Sequence, residues 1–274
     1  MAPTRTVGPP RRPAPSDLLA PFERDCLVAD AIFNERRLVD IYDPLDLDRS
    51  DLDTYLALIS EFGVRSILDI GCGTGTFACL LAQRGEEVTG IDPAAASVDV
   101  ARRKPGADRV RWLVGEATTL PPLQVDLVTM TGNVAHVFLT EEDWVATLRS
   151  AHGALRPGGL LVFEVRDPAR QEWREWNRAQ TFRRVVIPEV GAIETWVDVT
   201  EVDLPLVSFR WTFIFESDGV TLVSDSTLRF RSQAEIGDSL RAAGLEIQDV
   251  RDAPDRPGRE FVFIARRSKD QAAP

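Results

Sequence analysis

The stretch Leu68-Asp69-Ile70-Gly71-Cys72-Gly73-Thr74-Gly75 decides the fold of this chain. It ends a compact apolar strand, predicted over 64–70, and leads into a helix predicted over about 76–84. Glycines let a backbone approach a ligand where any Cβ would collide. Doubly wound α/β folds bind ligands at the carboxyl ends of parallel strands, which is where this loop lies. The stretch therefore predicts a ligand-binding glycine loop.

The spacing of the glycines distinguishes two kinds of cofactor. A dinucleotide-binding loop has the pattern GxGxxG and would need glycine at position 76, where this chain has Thr76. Asp69, two residues before the first glycine, is also outside that pattern and can instead help to hold a ligand ammonium group. No pair of residues suited to hydride transfer is recognisable. A nicotinamide-dependent oxidoreductase is therefore disfavoured.

A second acidic residue stands at the end of the next strand. Asp92 follows a strand predicted over 87–91. A carboxylate at this point can accept hydrogen bonds from both hydroxyls of an adenosine ribose. The alternative role is the N-cap of the next helix, predicted over about 94–104, and the two roles can coexist.

Strands and helices alternate from position 64 onward. Further strands are predicted over 109–114, 125–130 and 160–165, with a helix over 140–155 and a turn at Pro157-Gly158-Gly159. This alternation predicts a parallel sheet covered on both faces. Between 181 and 231, apolar and polar residues alternate around the hairpin signal Ser217-Asp218-Gly219, which predicts an antiparallel insertion. A closing hairpin is predicted over 245–250 and 260–265.

Residues 64–166 resemble the class I S-adenosylmethionine-dependent methyltransferases. The glycine loop DIGCGTG, the acid in GIDP, Gly115-Glu116-Ala117 and the LRPGG turn stand in the order of that family. The resemblance implies an α/β fold: a doubly wound, seven-stranded, mainly parallel Rossmann-like sheet with an antiparallel β insertion after strand 5. It also implies that S-adenosylmethionine is the cofactor.

The resemblance assigns cofactor contacts residue by residue. Asp69 and the glycine loop would hold the methionine part, Asp92 the ribose, and the segment at Glu116 the adenine, while Tyr42 resembles a lid tyrosine that covers the cofactor. The full set of expected cofactor-binding residues is Tyr42, Asp69, Gly71, Cys72, Gly73, Thr74, Gly75, Asp92, Pro93, Glu116, Ala117, Thr118, Met130, Thr131 and Gly132.

The resemblance places the loop from Met130 to His136 at the sulfonium, facing the methyl acceptor. The chain lacks the Asn/Asp-Pro-Pro-Tyr stretch used on exocyclic amines of nucleic acids and on glutamine. Expected substrate-pocket residues are Asn133, Arg166 and Trp173, the last on a helix predicted after the fifth strand. An aromatic residue such as Trp173 also fits a core position. His136 is the candidate general base for a hydroxyl acceptor, and packing against the cofactor or starting the next helix is its alternative role.

The expected organisation of the chain has five segments. They are a disordered tail (1–15), an N-terminal helical lid (16–63), the cofactor-binding α/β core (64–180), the antiparallel β insertion (181–231), and a C-terminal helix with the closing β-hairpin of the core (232–267).

The composition of the chain disfavours nucleic acid, membrane and metal as partners. The 274-residue chain carries a net charge of −11, which disfavours nucleic acid, and has no apolar run long enough to span a bilayer. Its three cysteines and two histidines show no metal-site spacing, so no metal is expected. We therefore expect a cytoplasmic enzyme that methylates a nitrogen or oxygen of a small molecule, such as a natural product or sugar, and a homodimer is compatible with the insertion. The alternative is a protein of the same fold that binds the cofactor without transferring methyl, because fold does not fix function.

Overall fold

The computed structural model describes residues 29–269. Its helices are α1 (Ala31–Asn34), α2 (Arg36–Leu45), α3 (Asp53–Phe62), α4 (Thr76–Gln83), α5 (Ala95–Ala101), α6 (Glu141–Ala154), α7 (Arg178–Thr181) and α8 (Gln233–Ala242). Its strands are β1 (Ser66–Ile70), β2 (Glu87–Asp92), β3 (Val110–Val114), β4 (Val125–Met130), β5 (Leu155–Arg166), β6 (Arg183–Ile187), β7 (Gly191–Asp203), β8 (Leu206–Phe215), β9 (Thr221–Arg229), β10 (Leu245–Asp252) and β11 (Glu260–Arg267).

Seven strands form the main sheet, in the order β10-β11-β5-β4-β1-β2-β3. Strands β3, β2, β1, β4 and β5 run parallel to one another, whereas β11 pairs antiparallel with both β5 and β10. The order of the strands reverses between β1 and β4, and a crevice forms at such a reversal beyond the carboxyl ends of the strands. The predicted fold class is confirmed, and the crevice lies at the predicted glycine loop.

Helices cover both faces of the main sheet. Helices α3 and α4 pack on one face, and α6 and α8 pack on the other. All five residues of β1 are buried as a result, and all but Ser66 and Asp69 are aliphatic. Burial on both faces is typical of central parallel strands.

The predicted insertion after β5 is a second sheet with the strand order β6-β7-β8-β9. All its neighbouring strands are antiparallel. Alternate residues face inward, and Ile193, Phe213 and Phe215 pack with Leu38 and Ile41 of α2. The period-2 pattern of the sequence thus buries one face of this sheet against the N-terminal helices.

The N-terminal helices contact both the antiparallel sheet and helix α5 of the core. The Ile32 amide donates to the Ser224 hydroxyl on β9 at 2.9 Å, and the Ser97 hydroxyl on α5 donates to the Phe33 carbonyl at 2.6 Å. Helices α1 and α2 therefore bridge the antiparallel sheet and the α5 side of the core.

The prediction that Pro157-Gly158-Gly159 forms a turn between α6 and the fifth strand is wrong. These residues lie within β5, and the pairing with β4 jumps from Val125–Leu155 to Leu127–Leu160. The extra residues are absorbed in an irregular stretch where Gly158 has a φ of 84°. The motif therefore forms a bulge rather than a connection between two elements.

Two other local predictions differ from the structure. The helix predicted over about 94–104 ends at Ala101, and the chain reaches Pro105 through a turn. The segment at Trp173 forms only a 3₁₀ turn over Glu172–Glu175 rather than an α-helix. The described residues do not include the tail predicted over 1–15, the part of the N-terminal helical lid predicted from residue 16 up to residue 28, or Cys26.

Candidate cofactor and acceptor site

The loop between β1 and α4 lies directly at the crevice. A Cβ on Gly75 would come within 2.4 Å of the Trp112 ring and 2.6 Å of Ala101, so this position is closed by packing. A Cβ on Gly73 would meet no atom within 4 Å, although its φ of 51° favours glycine. The backbone at Gly73 therefore borders open space, as a loop that cradles a ligand requires.

Asp92 ties the second strand to this loop. Its carboxylate accepts hydrogen bonds from the Gly73 amide and the Ala94 amide, each at 2.8 Å. The N-cap of α5 is Ala94, so Asp92 stands just outside the cap and holds the turn before it. Burial raises the pKa of Asp92, and the two amides oppose that shift.

The segment after β3 also reaches Asp92. The Gly115 amide donates to the Asp92 carbonyl at 3.0 Å, and Ala117 is buried beside the core. The Thr118 hydroxyl donates to Glu116 at 3.4 Å, and Pro93 is exposed next to Asp92. The structure thus brings the residues predicted for ribose and adenine to neighbouring strand ends.

Asp69 lies at the centre of the sheet. It is 1% exposed and accepts a hydrogen bond from the Thr129 hydroxyl of β4 at 2.8 Å. Burial raises the pKa of this carboxyl group to about 7, and the nearby carboxylates of Asp92 and Glu164 raise it further, against the hydrogen bond from Thr129.

Glu164 on β5 is a site residue that the sequence reasoning missed. Its carboxylate accepts hydrogen bonds from the Tyr55 hydroxyl on α3 and from the Asn133 amide after β4. Burial raises its pKa to about 7, and the Glu260 carboxylate adds to the shift. One signal was available in the sequence, because a charged residue interrupts the apolar run of β5.

The loop after β4 depends on this contact. Met130 is fully buried, and Asn133 adopts a left-handed conformation with a φ of 66°. The Glu164 carboxylate binds the amide of this same residue, so it fixes the loop that carries Thr131 and Gly132 past the crevice.

The contacts of His136 do not fit the general-base role. Its Nδ1 lies 2.8 Å from the Arg229 carbonyl oxygen, and its Nε2 accepts a hydrogen bond from the Arg166 amide at 2.9 Å. The ring is 1% exposed and packs on Phe230, and burial lowers its pKa to about 4. Because Nδ1 must donate to a carbonyl and Nε2 already accepts, His136 holds backbone segments together instead of receiving a proton from a substrate.

Arg166 and Trp173 lie beside two cavities at the end of β5. Arg166 contacts Glu260 at 3.3 Å and Glu172 at 3.7 Å, and its guanidinium lies 5.3 Å from the Trp176 ring centroid. It borders a cavity of about 370 Å³. Trp173 packs edge-on against Phe230 and borders a second cavity of about 520 Å³, and Trp176 lines both cavities.

Tyr42 lies on α2, next to the glycine loop. Its ring packs on Phe33 with centroids 5.6 Å apart, and the adjacent Asp43 accepts a hydrogen bond from the Thr74 hydroxyl at 2.7 Å. Burial raises the pKa of the Tyr42 hydroxyl, against the attraction of Arg49. The lid role of Tyr42 stays a prediction.

Comparisons with known proteins identify the family of the chain. The profile of the family described as "Methyltransferase domain" matches residues 67–159. The cypemycin N-terminal methyltransferase of a Streptomyces species is 30% identical over 189 residues, which cover 68% of this chain and 74% of that protein.

The chain belongs to the class I S-adenosylmethionine-dependent methyltransferases. Solved methyltransferase structures share its fold. The CcbJ methyltransferase from Streptomyces caelestis has a TM-score of 0.71 at 24% identity, covering 84% of this chain and 96% of that one. The amino pentose methyltransferase CalS10 from Micromonospora echinaspora, solved with its cofactor, has a TM-score of 0.61 at 22% identity, covering 80% and 90%. Seven further curated methyltransferases match over shorter regions, and this chain spans 44% to 62% of their lengths.

The crevice of this methyltransferase fits a cationic ligand. Asp69, Asp92 and Glu164 are buried, and within residues 29–269 none of the three forms an ion pair. The cofactor carries an ammonium, a sulfonium and a carboxylate group, and its two positive groups are attracted strongly by such carboxylates at low dielectric. Among the same residues, no group of three or more potential ligands could hold a metal ion, and no helix is long and apolar enough to cross a membrane.

Proposed function

We propose that this methyltransferase transfers a methyl group from S-adenosylmethionine to an amine nitrogen of a small molecule. One observation carries the choice of nitrogen over oxygen. His136, the candidate base on the acceptor-side loop, has both ring nitrogens committed to backbone groups. A hydroxyl acceptor usually needs a general base, whereas an amine needs only to arrive in its neutral form.

Two of the similar proteins support an amine acceptor by their names. One is named for methylating the N-terminus of cypemycin, and another acts on an amino pentose. We extend to this chain only the shared chemistry, an amine on a natural product or sugar.

The bound cofactor would supply an activated methyl group on sulfur, so the protein needs mainly to align the acceptor with it. In this proposal Asp92 binds the ribose hydroxyls, Asp69 attracts the ammonium group, and the backbone at Gly73 lies against the methionine part. Glu164 orients the β4 loop through the Asn133 amide. These residues would position the cofactor and keep water away from it, and none of them would form a covalent bond with it.

We place the acceptor between the loop after β4 and the end of β5. Asn133, Arg166 and Trp173 would line its pocket. The Arg166 guanidinium and the Trp176 ring offer a flat charged surface and an aromatic surface, next to cavities large enough for a sugar-sized group. A cytoplasmic location and a homodimer stay predictions.

The test compares matched acceptors. The purified protein is incubated with S-adenosylmethionine and either an amino sugar or the same sugar with a hydroxyl in place of the amine, and products are read by mass spectrometry. We expect a mass gain of one CH₂ on the amine alone. Transfer to the hydroxyl alone would refute the choice of nitrogen. Tight cofactor binding without any product across a broad set of amines would favour the non-methylating alternative.

A further inference from the structure

The carboxyl-terminal part of α2 is bonded to the glycine loop through one aspartate. Asp43 Oδ1 accepts hydrogen bonds from the Thr74 hydroxyl at 2.7 Å and from the Thr76 hydroxyl at 3.1 Å. Thr74 belongs to the glycine loop and Thr76 is the first residue of α4. A single carboxylate oxygen therefore joins the N-terminal lid to both parts of the loop–helix junction.

A lysine completes the arrangement from a third element. Lys104 Nζ lies 2.6 Å from Asp43 Oδ2 and donates to the Thr76 hydroxyl at 2.6 Å. Lys104 follows α5 in the turn before Pro105. Asp43, Thr74, Thr76 and Lys104 form what we call the Asp43 cluster, which links α2, the glycine loop and the end of α5.

The Asp43 cluster differs from the other ion pairs of the lid in its burial. The side chains of Asp43 and Lys104 are 28% and 20% exposed. Asp40, one turn earlier on α2, is 47% exposed and pairs with Arg36 and Arg103 at the surface. Exposed pairs contribute little, whereas partly buried, multiply hydrogen-bonded pairs hold a geometry.

We propose that Asp43 is a positioning residue that holds α2, and with it Tyr42, against the glycine loop, and that loss of the Asp43 cluster speeds release of the cofactor. This inference rests on the proposed cofactor site. Its physical basis is that Asp43 contacts residues 74 and 76, on either side of Gly75, while the adjacent Tyr42 packs on Phe33. A shift of α2 away from the core breaks the hydroxyl bonds and the ion pair together.

The test measures cofactor dissociation in the full-length protein. Asp43→Asn keeps the size of the side chain but removes the charge that faces Lys104. Asp40→Asn on the same helix is the matched control. The protein is loaded with labelled S-adenosylmethionine, chased with unlabelled cofactor, and the loss of label is followed. Hydrogen exchange of the α2 amides in cofactor-free protein provides a readout that does not depend on activity.

We expect Asp43→Asn to speed dissociation about tenfold, the lower end of what a hydrogen-bonded charge contributes. The KM for the cofactor should rise while kcat is not lowered, α2 amides should exchange faster, and Asp40→Asn should match the parent. Lys104→Met gives the same direction of change and serves as the second variant if Asp43→Asn does not fold.

Dissociation and α2 exchange at the parent rates in both Asp43→Asn and Lys104→Met would overturn the inference. Equal acceleration in Asp40→Asn would also overturn it, since any lid charge would then suffice. Failure of the parent protein to bind S-adenosylmethionine would instead refute the proposed function.

Discussion

Replacing Glu164 with glutamine should raise the stability of the cofactor-free protein and lower its affinity for the cofactor. The pKa of Glu164 is about 7 in the folded protein against 4.5 for an ordinary glutamate. That difference makes the ionised form cost about 3 kcal/mol in the folded state relative to the unfolded chain. The folded protein binds more protons between these two pH values, so its stability falls as pH rises from about 4.5 to about 7.

Glutamine removes that penalty and keeps the hydrogen bonds. Its carbonyl oxygen can accept from the Asn133 amide, and its amino group can donate to the Tyr55 hydroxyl. We expect cofactor-free Glu164→Gln to match the parent near pH 4.5 and to exceed its free energy of unfolding by up to about 3 kcal/mol at pH 8. Asp69 titrates in the same window, and its pKa falls when the Glu164 charge is removed, so the difference between the two proteins contains the loss of the Glu164 titration together with this smaller change at Asp69.

The assay is urea unfolding followed by tryptophan fluorescence at pH 5, 6, 7 and 8, with the exposed Glu142→Gln as control. Calorimetry at pH 8 measures the affinity for the cofactor. The variant lacks one of the three buried carboxylates of the proposed site and should bind S-adenosylmethionine more weakly. A stability difference that does not grow with pH, or an unchanged cofactor affinity, would refute the reasoning.

Three further substitutions test the rest of the site. Asp92→Ala should weaken S-adenosylmethionine binding by about 1.5–3 kcal/mol, the range for hydrogen bonds to a charged group; equal calorimetric affinities would remove Asp92 from the site. Gly73→Ala should lower stability by about 1–2 kcal/mol because of its positive φ, and lower cofactor affinity well beyond that, since only a ligand meets the added methyl group; an unchanged affinity counts against the cradle. His136→Ala should lower the free energy of unfolding by roughly 2–4 kcal/mol, because the Arg229 carbonyl and the Arg166 amide lose their partner. A stable variant with impaired turnover would restore the general-base hypothesis.

The residues predicted to bind the cofactor could be grouped from the sequence because their signals are local. The glycine loop follows its strand directly, and Asp92 stands at the end of the next strand, so the parallel pairing of β1 and β2 brings them together. The Gly73–Asp92 hydrogen bond is a consequence of that pairing.

The acceptor half was not readable because its contacts join distant parts of the chain. Tyr55 and Glu164 are 109 residues apart, and His136 binds a carbonyl 93 residues later. Nothing near His136 in the sequence shows that both of its nitrogens are taken by backbone groups. Sequence position on the right loop therefore predicted a base where tertiary contacts make a buried structural residue.

The negative charge of the crevice should affect the affinity for the cofactor and for its product differently. Methyl transfer converts a cationic sulfonium into a neutral thioether, and the buried carboxylates of Asp69, Asp92 and Glu164 attract only the first of these at sulfur. We therefore expect the protein to bind S-adenosylmethionine more tightly than S-adenosylhomocysteine at pH 8. Since Asp69 and Glu164 titrate near pH 7, that preference should shrink as pH falls below 7 and both groups become neutral. In the proposed site, the buried carboxylates that lower the stability of the cofactor-free protein would also select the reactive form of the cofactor.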